Sequence, residues 1–175
     1  MKNKNVKWSG IAAVITGGLI LSSVSAFAVP ADNIVLSGTI APVNTVAVVG
    51  VVDVYNLLDL KTTQTGLKVA DVLETSNDFI GYTVTLASLN AGVGTQARLM
   101  ASNIGNGHGV NYSITYGPGA GTGVTLVAGQ AEVTNSNAPT SEEGTANNLR
   151  ISYTGNSFLN ADTYSDTITL TIAAK

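Results

Sequence analysis

The chain of 175 residues contains no cysteine, one tryptophan and one histidine, and only 11% of its residues are charged. The absence of cysteine excludes disulfide bonds, a thiol nucleophile, a zinc–thiolate site and a lipid-anchored cysteine. Any folded domain must therefore be stabilised by an apolar core. Hydrophobic residues make up 45% of the chain, and this share together with the low charge argues against intrinsic disorder.

The first 28 residues are predicted to be a signal peptide that is removed on export. A basic start precedes an apolar run over 11–21, and the small residues Ala26 and Ala28 fit a cut before Val29. The apolar run is shorter than a membrane-spanning helix requires. No second long apolar run follows, so we expect no membrane span in the mature chain.

The mature chain is predicted to be acidic. Without the leader it keeps 5 of the 8 basic residues and all 11 acidic ones, a net charge of −6. Its basic residues are scattered, whereas phosphate contacts require a cluster of Lys and Arg. We therefore expect no nucleic-acid partner.

Beyond residue 29, short runs rich in Val, Ile, Thr and Tyr alternate with Gly, Asn, Ser and Pro. Such runs predict strands because branched and aromatic side chains suit a pleated surface. The predicted strands cover 33–40, 43–49, 51–58, 67–74, 80–88, 96–102, 110–116, 122–127, 148–154 and 164–172. Their number and spacing predict an all-β fold, a Greek-key β-sandwich. The Gly-rich stretches 103–109 and 117–123 are predicted hairpin loops, and 134–147 a long surface loop.

The sequence gives little basis for catalysis. His108 lies between two glycines without catalytic context, and the adjacent Glu142 and Glu143 diverge on an extended chain. No G-x-S-x-G or S-x-x-K motif occurs. We predict no catalytic residue, no metal site, no cofactor and no enzymatic activity. Most of the six tyrosines are in phase with apolar strand residues, which favours core packing over a carbohydrate-stacking platform.

An alternating strand is predicted at the start of the mature chain, over 33–40. Because side chains on a strand alternate between its two faces, one face carries Ile34, Leu36, Gly38 and Ile40. On the sequence alone, this strand could pair within its own sandwich or with a neighbouring molecule.

The last predicted strand, 164–172, alternates in the same way. Its apolar face carries Ile168, Leu170 and Ile172, and threonines occupy the other face.

These features resemble those of chaperone–usher pilins. The match consists of the N-terminal alternating strand ending at Pro42, a Gly-Tyr-x-Val pattern at 81–84, and a Thr-Tyr-Ser-x-x-Ile-x-Leu pattern at 163–170. The chain is most similar to the Cys-free major subunits of alpha-class colonisation-factor fimbriae and, more loosely, to spore-coat-U-like pilins. It departs from the family at Asp162, where Gly is common, and spore-coat-U-like members usually carry Cys.

The resemblance implies an incomplete immunoglobulin-like sandwich over 43–175 that lacks its final strand. The extension over 29–42 would be the donor strand that fills the groove of the next subunit. Its donor side chains would be those of Ile34, Leu36 and Ile40, with Gly38 allowing a close backbone approach. The acceptor groove would be lined by Ile168, Leu170 and Ile172.

The partners implied by the resemblance are further copies of the chain in a head-to-tail polymer, a periplasmic chaperone and an outer-membrane usher. The expected route is export through the inner membrane to the periplasm and then to a fimbrium on the cell surface, with a role in adhesion. An alternative is a self-contained secreted β-sandwich module that binds a glycan or a host surface through tyrosines and the loops at 103–123.

Overall fold

The computed structural model describes residues 36–92 and 94–175, which form ten strands and no α-helix. The strands are β1 (Asn44–Gly50), β2 (Gln64–Ser76), β3 (Tyr82–Ser88), β4 (Ala97–Ala101), β5 (Gly109–Gly117), β6 (Thr122–Val124), β7 (Gln130–Ser136), β8 (Thr145–Tyr153), β9 (Tyr164–Ser165) and β10 (Ile168–Ala174). A single 3-10 turn follows β3 at Leu89–Ala91. The predicted all-β fold is confirmed.

The strands form two antiparallel sheets that pack as a sandwich. The larger sheet has the order β1-β2-β8-β5-β4-β9, with β6 also paired to β5, and the smaller has the order β10-β3-β7. In immunoglobulin-type sandwiches the strands A-B-E-D face the strands C-F-G. Here β1, β2, β8 and β5 occupy the A-B-E-D positions, and β3 and β10 occupy C and F. No strand in the described residues occupies position G, beside β10.

Alternating side chains explain why these segments fold as strands around one core. In β3, Tyr82, Val84 and Leu86 are buried, whereas Thr83 and Thr85 between them are half-buried on the opposite face. In β8 the buried side chains likewise alternate with polar ones. Where one face of a strand is apolar, as in β3 and β8, burial of that face fixes the register.

A buried carboxylate joins the two sheets. Glu74 of β2 is fully buried, and its Oε1 accepts hydrogen bonds from the hydroxyls of Tyr116 on β5, at 2.6 Å, and Thr134 on β7, at 2.8 Å. Its Oε2 accepts one from the hydroxyl of Tyr82 on β3, at 3.0 Å. Burial, and then the hydrogen bond to Glu74, raise the pKa of the Tyr116 hydroxyl. The cross-link connects β2 and β5 of the larger sheet with β3 and β7 of the smaller.

The segment 51–58, predicted to be a strand, is a series of turns. The amides of Val54 and Tyr55 both donate to the carbonyl of Val51, at 3.1 and 3.3 Å. Asp53 has a φ of 61°, in the left-handed region. Val54 and Leu58 pack against the core. The apolar residues of this run therefore have a core role, but the backbone that presents them is a turn.

Strand β7 was missed because its sequence is polar, and part of it fell in the predicted loop 134–147. It pairs with β3 through backbone hydrogen bonds, which need no apolar sequence. The segment 164–172 is two strands, β9 and β10, and 122–127 is shorter than predicted. The hairpin connections at 103–109 and 117–123 are as predicted, since β4 pairs with β5 and β5 with β6.

The described residues from Thr39 to Lys175 form one compact unit, and residues 36–38 belong to a separate one. The predicted signal peptide and residues 29–35 lie outside the described part of the chain. Within that part, no helix has the length and hydropathy needed to cross a membrane.

Candidate strand-binding groove

Two strand edges lie next to each other at one side of the sandwich. β1 is the outer strand of the larger sheet, and β10 is the outer strand of the smaller. Asn44 pairs with Ser76 and Ala174 pairs with Tyr82, which are the two ends of the β2–β3 connection. β1 therefore begins where β10 ends, and the two strands run antiparallel to each other. We call the space between them the edge groove.

The two edges are close but not paired. Cα atoms of β1 and β10 come within 8 Å of each other, and no ladder joins these two strands. Neighbouring strands in a sheet are about 4.8 Å apart, so a strand inserted between two edges holds them about 9.6 Å apart. A strand entering the edge groove along its whole length would therefore have to move the edges slightly apart.

The edge groove opens into a cavity of about 390 Å³ between the sheets. β1 contributes Val48 and Gly50 to its lining, and β10 contributes Ile168. Its floor is the inner face of the larger sheet, which includes the buried Leu149 and Ile151 of β8. The cavity is mainly apolar, which suits hydrophobic side chains and not ions.

The apolar side chains of β10 are less buried than their partners on β3. Leu170 lies opposite Leu86 and Ile172 opposite Val84. Leu86 and Val84 are fully buried, whereas Ile168, Leu170 and Ile172 are each only half-buried. The three residues that sequence analysis assigned to an acceptor groove therefore lie together along one strand edge with apolar surface still in contact with solvent.

The edge of β1 shows the same incomplete burial. Val48, which lines the cavity, is 51% exposed. A long apolar strand edge with free backbone groups is a template for pairing with another chain, and proteins usually block such edges with charges or prolines. β1 carries neither between Asn44 and Gly50.

A polar cluster closes the apolar groove at the Ile168 end. Asp166 Oδ2 accepts hydrogen bonds from the hydroxyls of Ser88 and Tyr112, both at 2.6 Å, and its Oδ1 accepts from the amides of Asn90, at 3.0 Å, and Thr167, at 2.7 Å. Burial, and then this contact with Asp166, raise the pKa of the Tyr112 hydroxyl. The four donors bind Asp166 where the chain passes from β9 to β10, which explains why the predicted strand 164–172 is divided.

The turn segment that replaces a predicted strand forms the rim of the cavity. Tyr55 and Leu58 both line the cavity. The Tyr55 ring lies so close to Gly50 that a Cβ at this position would be 2.7 Å from the ring carbons. Glycine at the end of β1 therefore lets the Tyr55 ring pack over the mouth of the cavity. Sequence analysis missed this role because it placed Tyr55 in a strand.

Of the predicted donor residues, Ile34 lies outside the described part of the chain. Leu36 is 90% exposed and Ile40 is 87% exposed. The described part of the predicted strand, residues 36–40, has no strand pairing. Gly38 lies in open space, since a Cβ added to it would have no atom within 4 Å. Two large apolar side chains of this segment are thus free to contact another surface.

The remaining candidates form no second site. His108 is exposed, as are Glu142 and Glu143. The described residues hold no group of three His, Asp or Glu side chains arranged to bind a metal ion. The buried tyrosines, in agreement with the core role predicted for them, are Tyr82, Tyr112, Tyr116 and Tyr153. These four rings are therefore not available as a stacking surface for a glycan.

No family model and no curated protein sequence matches this chain.

Proposed function

We propose that the chain is a structural subunit of a surface fibre, assembled when the N-terminal segment of one copy inserts as a strand into the edge groove of the next. The observation that supports this proposal is the half-burial of Ile168, Leu170 and Ile172 on β10, which within the described residues is paired on one side only. A contact of this head-to-tail kind does not close on itself and generates an open filament.

The energetics support strand insertion. Full burial of an Ile or Leu side chain stabilises a complex by roughly 1.5–3 kcal/mol, so three donor side chains supply roughly 5–9 kcal/mol. Each ladder hydrogen bond adds about 0.5–1.5 kcal/mol. Insertion also covers the solvent-exposed apolar surface of β1 and β10. The donor and the acceptor therefore both have exposed apolar surface that the contact would remove.

The resemblance to chaperone–usher pilins extends this proposal to the route of assembly. In such a route the signal peptide directs export, a periplasmic chaperone protects the groove, and an outer-membrane usher passes subunits to a fimbrium that adheres to other surfaces. The acidic mature chain with neither cysteine nor a predicted catalytic group fits a structural role of this kind.

The test uses the full chain carrying Ile40→Asp, which can accept a strand but is impaired as a donor. Adding a synthetic peptide of residues 29–42 is expected to raise the melting temperature of this variant, because a ligand that binds only the folded state stabilises it. The same peptide carrying Ile40→Asp is expected to have no effect. A peptide carrying Thr39→Asp, on the opposite face of the strand, is the matched control and should still bind.

Polymer formation gives the second readout. We expect the parent chain to form ladders that resist sodium dodecyl sulfate, and the Ile40→Asp chain to form none. Equal melting shifts with all three peptides, or ladders that persist in the Ile40→Asp chain, would refute the proposed donor contact.

A further inference from the structure

The start of β1 is held by one side chain from the β2–β3 connection. The amide of Val43 donates to Asn77 Oδ1, at 2.7 Å, and Asn77 Nδ2 donates to the carbonyl of Ala41, at 2.8 Å. The backbone amide of Asn77 also donates to the carbonyl of Val43, at 3.0 Å. The side-chain amide thus extends the pairing of β1 back to Ala41, over three residues that we call the stem, residues 41–43.

Contacts next to the stem hold the same strand end. The hydroxyl of Ser76 donates to Asn44 Oδ1, at 2.7 Å, and Ser76 is buried. Asn77 itself is exposed, so its side chain is not needed to fill the core. What Asn77 contributes to the structure is therefore its three hydrogen bonds to the stem, two from the side chain and one from the backbone amide.

The donor strand could insert into the groove of its own molecule or into that of another copy, and the conformation of the stem decides between the two. β1 begins at Asn44 and the donor residues continue to Ile40, so insertion into the groove of the same molecule needs a chain reversal within the stem. A tethered strand has an effective concentration of about millimolar for its own groove, far above that of a second copy in dilute solution, unless the geometry forbids the contact. A fibre-forming subunit therefore needs a feature that opposes reversal.

The stem has the wrong residues for such a reversal. Three-residue hairpin loops are commonly completed by Gly, Asn or Asp in the left-handed conformation. The stem is Ala41-Pro42-Val43, and β-branched valine strongly disfavours that conformation. Proline further biases the residue before it towards extended backbone.

We infer that Asn77 is a positioning residue that holds the stem extended in line with β1, and thereby directs the N-terminal segment to the groove of another copy instead of its own. This inference rests on the proposed function. It assigns a role in the choice of partner to a side chain that lies outside both the donor strand and the edge groove.

The test exploits the absence of cysteine from the chain. Ser37→Cys, on the face of the donor segment opposite Leu36, and Ala47→Cys, an exposed residue of β1 that does not line the cavity, are introduced together, and a short bifunctional maleimide links them where they meet. Links between molecules give covalent ladders, and links within one molecule give a monomer whose cross-linked peptides are identified by mass. In the otherwise unchanged chain, we expect ladders to predominate.

Adding Asn77→Ala to this double variant is expected to raise the ratio of intramolecular to intermolecular links about tenfold, the effect of losing two hydrogen bonds. Asn77→Asp retains the acceptor for Val43 but not the donor for Ala41, and should give an intermediate ratio. Asn148→Ala, which removes a side-chain hydrogen bond to Gly119 at a distant loop, is the control and should leave the ratio unchanged. A loss of folding alone would lower both kinds of link together, whereas the inference requires one kind to replace the other.

The outcomes separate the two proposals. Absence of any link between positions 37 and 47, in every variant, overturns the donor–groove contact and with it the role of Asn77. Links that form with the same ratio in the parent and in the Asn77→Ala and Asn77→Asp variants overturn the role of Asn77 alone. A parent chain in which the links already form mainly within single molecules also overturns the role of Asn77.

Discussion

At the level of single residues, two carboxylates have structural roles that their sequence neighbourhoods do not reveal. Glu74 receives three hydroxyl donors from both sheets in a fully buried position, and Asp166 receives four donors at the end of the edge groove. Buried charge is tolerated only when it is hydrogen-bonded. In a chain without disulfides, these clusters help to fix the relative position of the two sheets, which are otherwise held together mainly by apolar packing.

Replacing the Glu74 carboxylate should be strongly destabilising. Glu74→Ala leaves the hydroxyls of Tyr82 and Tyr116 buried without this acceptor and removes the acceptor of the half-buried Thr134, and we expect a loss of about 3–5 kcal/mol in the free energy of unfolding. Urea denaturation measures this loss. The control is Glu132→Ala, an exposed glutamate on β7, which should change the value by less than about 0.5 kcal/mol. Similar effects from the two substitutions would contradict the bridging role of Glu74.

Among the secondary-structure elements, β3 and β10 carry similar alternating sequences but experience different burial. β3 is the central strand of the smaller sheet, whereas β10 is paired on one side only. The same alternation of large apolar residues with threonine therefore produces a fully buried face in one place and a half-buried edge in the other. This difference, and not the sequence of β10, leaves the apolar face of β10 partly exposed to solvent.

Matched substitutions on the two strands should separate folding from assembly. In the Ile40→Asp chain, Leu86→Ala is expected to cost about 2–5 kcal/mol of unfolding free energy, and Leu170→Ala about half as much, because Leu170 is only half-buried. When the peptide of residues 29–42 is present at saturation, the cost of Leu170→Ala should rise and that of Leu86→Ala should not. Both values come from urea denaturation. A cost for Leu170→Ala that does not respond to the peptide would argue against strand insertion beside β10.

Across the molecule as a whole, polar contacts as well as apolar packing hold the two sheets together. The sheets are joined by tyrosine–carboxylate contacts, in which the hydroxyls must remain protonated to donate. Burial raises the pKa of both Tyr112 and Tyr116 above the ordinary value of 10.0. The folded state therefore requires the hydroxyls of Tyr112 and Tyr116 to remain protonated.

The sign of the resulting pH dependence follows from linkage. A group whose pKa is raised by folding contributes stability that is fully present below its unfolded pKa, and this stability is lost as the pH rises through the folded pKa. We expect the unfolding free energy to begin falling above about pH 10, where the tyrosines of the unfolded chain ionise. Urea denaturation at a series of alkaline pH values measures the fall, and Tyr116→Phe should reduce its slope. A slope that is the same in this variant and in the parent would contradict the assignment to Tyr116.

Local sequence was enough to establish the all-β class and most strand positions, because alternation with a period of two is a local property. It also placed Ile168, Leu170 and Ile172 on one face, and assigned most tyrosines to the core. It failed at 51–58, where an apolar run forms turns, and at β7, whose polar residues pair through backbone groups. Local patterns carry no information about such pairing.

Only the tertiary structure shows which residues far apart in the sequence come into contact. Glu74 contacts residues 42 and 60 positions away, Asp166 contacts Ser88 78 positions away, and Asn77 holds the stem 34 and 36 positions before it. The half-burial of β10 likewise results from the order of strands in the sheets. These features depend on how the sheets close around the core, since a carboxylate or an amide in a strand gives no local sign of the partner that folding brings to it.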